Sequence, residues 1–163
     1  MATPRSRALL PLLLAFCALA VAHERSNYFE DPFLPVTSAI AGCPVPAPPG
    51  MTPEELAKEA HVRAQHGNSC YRSGRCRLPN SYLYDKELLP RVAAYLRQDG
   101  RFDDTTLWVL GERRLVTVMG CVQSREQAQA LERAIMLVDD VMGVIDLTMV
   151  GTKEAPRYRL AAP

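Results

Sequence analysis

The chain has 163 residues, room for one small domain and some appended structure. With 19 Lys and Arg against 18 Asp and Glu, the formal charge is +1, which excludes bulk charge attraction as a route to nucleic acid. Any electrostatic partner must therefore meet a local patch.

Residues 1–22 read as a secretory signal. Arg5 and Arg7 give it a basic start, residues 8–19 are apolar, and Ala20-Val21-Ala22 supplies a small-residue cleavage site. Pro11 interrupts the apolar run, which is too short to favour a membrane span. Cleavage leaves His23 as the new amino terminus. It also removes two basic residues and no acidic one, so the mature chain carries a formal charge of −1. Further on, Ile40-Ala41-Gly42-Cys43 resembles a lipobox, although residues 23–32 are polar and acidic where a lipoprotein leader is basic and then apolar. Lipid anchoring through Cys43 is thus the lesser alternative to cross-linking. Cys17 leaves with the leader. Cys43, Cys70, Cys76 and Cys121 remain, an even number in an exported chain, and two disulfides are expected. Of the three possible connectivities the sequence selects none.

Residues 23–84 form an extension. Pro44, Pro46, Pro48 and Pro49 make its middle stiff and extended. Thr52-Pro53-Glu54-Glu55 then gives a cap, a proline at the first helical position and a glutamate at the third, so a helix is predicted from 53 to 66 with Gly67 as its stop. Its apolar side is thin, Leu56 and Ala60, which suggests that it depends on the cross-links that follow. The loop at 67–80 holds two cysteines with Arg72, Arg75 and Arg77. A solvated, disulfide-held loop is the plainer reading of that cluster, and an anionic-ligand patch is the functional one.

From Asp85 the pattern tightens. Leu88, Leu89, Val92, Ala93 and Leu96 recur at helical spacing before Gly100, with Pro90 expected in the first turn. Residues 105–110 alternate as a strand, Gly111-Glu112 fits a tight hairpin turn, and Arg114 to Val122 is the return strand. Val116, Val118 and Val122 share one face of that strand with Gly120, a glycine position that marks a bulge or a close backbone approach. Ser124-Arg125-Glu126-Gln127 has capping-box spacing. It opens a helix to about Asp139 that buries Ala128, Leu131, Ile135 and Val138. A last strand covers 144–150, and the tail, 152–163, is expected to be disordered.

Helix, strand, hairpin, strand, helix, strand over residues 85–151 resembles the BON (bacterial OsmY and nodulation) domain. Val116, Val118, Gly120, Val122 and Ser124 match its central signature, and Val141, Val144 and Val150 match its closing part. Asp140 departs from the family's usual closing glycine, and Thr148 from its apolar preference. The resemblance implies an α+β two-layer sandwich of order α-β-β-α-β, with two helices on one face of a three-stranded mixed sheet. By strand parity Trp108, Leu110, Leu115, Met119 and Cys121 point away from the helices. With Ile145, Leu147 and Met149 they make an apolar second face too large to leave wet. The expected cover is the segment before residue 85, stapled through Cys121. The alternative is a docking face for a partner or lipid.

Catalysis is not expected. His61, His66, Cys70 and Cys76 match no common zinc template, and a copper site at His23 lacks a partner histidine. Asp103-Asp104 and Asp139-Asp140 sit at element ends, where caps and turns use such pairs. No histidine follows His66 to activate Cys121, and no phosphate-cradling glycine loop is present, so neither cofactor nor metal is expected. The resemblance implies an exported, periplasmic, non-catalytic module of the bacterial envelope, peripheral to a phospholipid surface. Arg72, Arg75, Arg77, Arg113 and Arg114 are the candidate anionic-headgroup contacts, the last two expected to be exposed after the hairpin turn. The competing class is a protein–protein interaction or scaffold module of an envelope assembly.

Overall fold

The alternation Val116, Val118 and the glycine at 120 build the central strand of the computed structural model, which describes residues 24–162. The predicted leader and His23 lie outside those residues. The strand is β3 (Leu115–Val122), and it pairs antiparallel with β2 (Thr106–Glu112) and parallel with β4 (Gly143–Val150). Gly120 has φ +119, and a Cβ there would stand 2.0 Å from Thr106 O. Only glycine allows β2 and β3 to meet at this point.

The helices are α1 (Pro53–His66), the single turn α2 (Ser69–Arg72), α3 (Asp85–Asp99, entered through a 3-10 turn at Ser81–Tyr84) and α4 (Arg125–Ile135). The Thr52–Glu55 box at α1 is reciprocal. At α4, Ser124 accepts from Gln127 N, whereas the Gln127 side chain reaches one residue further back, to Gln123 N. Pro90 lies at the sixth position of α3 rather than in its first turn, because the 3-10 turn leads straight into the helix. Helix α4 stops at Ile135, short of the expected Asp139. Leu88, Leu89, Val92, Ala93 and Leu96 of α3 meet Leu107, Val109, Val116, Val118 and Val122 of the sheet and Leu131, Ala134 and Ile135 of α4 in one core.

The class is α+β as expected, but the mixed sheet has four strands in the order β1-β2-β3-β4, not three. The additional strand, β1 (Phe33–Ser38), comes from the extension and adds antiparallel to β2. Pro35 within it marks an edge strand, where a missing amide is tolerated. Both edges are blunted by arginines. Arg97 donates to Val36 O at 3.1 Å and Pro35 O at 2.6 Å, and Arg157 donates to Thr148 O at 3.1 Å.

Cys121 is bonded to Cys43, so the extension is stapled to the second face. Cys43, Cys121 and Met149 form a small buried cluster with Ile40 and Trp108 against it. In this fold the bond uses the Cys43 sulfur, which favours cross-linking over the lipobox alternative. The tail, expected to be disordered, is clamped to the proline segment. Tyr158 Oη donates to Pro44 O at 2.8 Å, Ala47 N to Arg159 O at 2.7 Å and Ala161 N to Val45 O at 3.0 Å. Proline-rich backbone has carbonyls to spare, and the tail satisfies them.

Cross-links do not hold α1, contrary to expectation, since the second disulfide joins Cys70 to Cys76 within one loop. Arg63 holds it instead. Its guanidinium lies 4.0 Å from the Phe29 ring centre and 4.2 Å from that of Tyr82. It forms a fork with Asp31 at 2.8 and 2.6 Å, and its Nε donates to Glu59 at 2.9 Å. Planar stacking and bidentate pairing together are what arginine, not lysine, provides.

Candidate functional site at the hairpin end

The β2–β3 turn is not Gly111-Glu112. Strand β2 continues through both residues, and the turn is Arg113-Arg114, with φ +55 and +66. Two positive φ values are the requirement of a two-residue type I′ hairpin, usually met by Asn-Gly. Here a distant group makes the conformation tenable. Asp85, the first residue of α3, accepts from Arg113 N at 2.6 Å and Arg114 N at 2.7 Å. Asp85 is 1 % exposed, and burial pushes its carboxyl up to about 6 despite the lowering effect of those two amides.

Arg114 is largely buried rather than exposed as expected. Its side chain is 13 % exposed and lies 4.7 Å over the Tyr84 ring. It donates to Cys76 Sγ at 3.0 Å and to Asp140 O at 2.8 Å. Asp140 has φ +76, so it takes the left-handed conformation of a closing glycine while its carboxylate also pairs with Arg91 at 2.9 Å. Arg114 is therefore a structural post joining the disulfide loop to the segment before β4, and it leaves the set of surface contacts. Arg113 is half-buried.

The three loop arginines are exposed. Arg77 meets Glu87 at 3.4 Å with both side chains 65 % exposed, a solvent-facing pair of small value. Arg75 Nε donates to Ser73 Oγ at 3.0 Å. Arg72 and Arg75 have no carboxylate partner among the described residues. Tyr84, 2 % exposed, anchors the loop by packing on both cysteines and accepting from Leu78 N at 2.9 Å. Two exposed apolar side chains lie in this region, Tyr71 at 51 % and Met142 at 53 %. Met142 N donates to Arg114 O at 2.9 Å, which brings the approach to β4 against the hairpin. Arg75, Arg113 and Met142 line one cleft of about 300 Å³. The involvement of His66 and Ser81 in it has no signal in the sequence, because α1 and the 3-10 turn are brought there only by folding.

Cys70 and Cys76 are joined to each other, so the His61, His66, Cys70 and Cys76 set cannot be a thiolate zinc site. Among the described residues no three His, Cys, Asp or Glu side chains are grouped to hold a metal, and no helix is long and apolar enough to cross a membrane. Compared with known proteins, the chain matches no family model and no curated protein.

Proposed function

We propose that the chain is an exported, non-catalytic binding module of the bacterial envelope whose hairpin end contacts anionic phospholipid surfaces. The observation that carries this reading is the disulfide loop. It presents Tyr71, Arg72 and Arg75 to solvent with no carboxylate against either arginine, next to the exposed Met142. Arginines near an anionic surface contribute about 1 kcal/mol each. An exposed tyrosine suits the headgroup layer, where one end of the ring is wet and the other apolar. The 70–76 disulfide and Arg114 hold the loop in one shape, so little order has to be gained on contact.

The scaffold reading keeps part of its support, because the second face is only partly covered. Met119, Cys121 and Met149 are buried, Trp108, Leu110, Leu115 and Leu147 are half-buried, and Ile145 is 44 % exposed. Sedimentation of the mature, oxidised protein with phosphatidylglycerol vesicles tests the membrane reading. Pelleting with them, its loss in salt and its absence with neutral vesicles support it. Vesicle indifference together with a stoichiometric protein complex would favour the scaffold.

A further inference from the structure

Arg75 and Arg113 both line one cleft of about 300 Å³ that has no carboxylate in its lining. Arg113 has no ion pair within 4 Å among the described residues, and Arg75 spends only its Nε, on Ser73. Arg113 acts electrostatically on its neighbour Glu112, but Glu112 does not line this cleft, so an anion seated here would meet two arginines and no carboxylate. A second, independent feature points the same way. Ser81 lines this cleft too, and its hydroxyl makes no hydrogen bond within the described residues. No buried side-chain oxygen or nitrogen among those residues lacks a partner, so this hydroxyl is reached through the cleft and is free to donate to a ligand there.

The backbone around the cleft is already satisfied, so its donors are not competing for local acceptors. His66 O accepts from Ser69 Oγ at 3.0 Å, and Gly67 O from Ser81 N at 2.7 Å. Those bonds also occupy carbonyls at the end of α1 that would otherwise repel an anion. Asp85, a buried carboxylate at the hairpin, spends its two oxygens on the amides of Arg113 and Arg114.

We infer that this cleft is a seat for one phosphate group, held by the guanidinium forks of Arg75 and Arg113 and the hydroxyl of Ser81. The seat deepens the membrane reading and rests on it only for the source of the phosphate: a phospholipid headgroup or a free phosphate ester would present the same oxygens. The conformation of Arg113 ties the site to the hairpin, since its φ of +55 is maintained by Asp85.

The test is a 1H–15N NMR titration of the oxidised, mature protein with inorganic phosphate and with glycerophosphate, against chloride at equal ionic strength. The expected result is saturable shifts at His66, Ser69, Arg75, Ser81 and Arg113. The apparent Kd should rise at least tenfold in Arg75→Gln/Arg113→Gln and severalfold in Ser81→Ala, which leaves the charge unchanged. Shifts that do not saturate, that chloride reproduces or that the variants leave unchanged would overturn the seat. Vesicle pelleting supplies the other arm. Pelleting displaced by glycerophosphate and weakened by Ser81→Ala supports a headgroup as the source. A saturable seat whose occupancy leaves pelleting untouched supports a free phosphate ester. Intact pelleting with no phosphate titration overturns the seat alone, and a working seat without pelleting overturns the membrane reading alone.

Discussion

Replacing Asp85 by asparagine should flatten the pH dependence of stability between pH 5 and 7. The folded chain holds the Asp85 proton up to about 6, whereas the unfolded chain releases it near the ordinary 3.8. The native state therefore binds more protons across this interval, and stability falls as pH rises. Integrated from pH 5 to 7, the difference is close to one proton over one pH unit, about 1.3 kcal/mol lost by the wild type. Burial raises the Glu112 carboxyl as well and acts with the same sign in both proteins; because Glu112 also raises Asp85, its contribution is somewhat smaller in the variant, which adds to the difference in the same direction. The lowered carboxyls of Glu30, Glu55, Asp99 and Glu126 titrate below this window and act with the opposite sign. Asparagine keeps the shape and one acceptor but cannot ionise. Urea denaturation of both oxidised proteins at pH 5, 6 and 7 measures the effect. The wild type should lose about 1.3 kcal/mol relative to Asp85→Asn on going from pH 5 to 7. Parallel profiles would refute the assignment of a buried, ionising carboxylate under the hairpin.

Gly120→Ala should cost more than about 4 kcal/mol or abolish folding, because its Cβ meets Thr106 O at 2.0 Å; a urea midpoint reads this. By loop-closure entropy, Cys43→Ser/Cys121→Ser should cost about 4.5 kcal/mol and Cys70→Ser/Cys76→Ser about 2.2 kcal/mol, from sequence separations of 78 and 6. Equal losses in denaturant would contradict that account. Arg114→Lys should not restore what Arg114→Gln loses, about 2 kcal/mol, since an ammonium cannot serve Cys76, Asp140 and the Tyr84 face together. Full recovery in a thermal melt would show that only the charge matters.

What the sequence reveals here is set by how local each cause is. The caps at Thr52 and Ser124 act within four residues, and the alternation around Val118 directly expresses two unlike faces. Parity alone placed Cys121 on the face where Cys43 meets it. The misread features have distant causes. Gly111-Glu112 carries the usual glycine signal of a hairpin, whereas the actual turn, Arg113-Arg114, is made tenable by a carboxylate 28 residues earlier. Pro35 concealed β1, and the order of the tail depends on carbonyls more than 100 residues away.

The candidate site was half legible for the same reason. Arg72, Arg75 and Arg77 stand out as a cluster, and all three are exposed. The sequence could not separate Arg113 from Arg114. Adjacent in the turn, they diverge because only Arg114 meets the disulfide, Tyr84 and Asp140. Nor could it join His66 and Ser81 to Arg75, since their proximity exists only after α1, the 3-10 turn and the hairpin have packed together.

Vesicle sedimentation with the Arg72→Gln/Arg75→Gln/Arg77→Gln variant tests the proposed function most directly. The wild type should pellet with phosphatidylglycerol vesicles at low salt and not with phosphatidylcholine vesicles. At about 1 kcal/mol for each arginine, the variant should bind about 100-fold more weakly while keeping the wild-type urea midpoint. Equal pelleting of wild type and variant, or no pelleting of the wild type under any condition, would contradict the account.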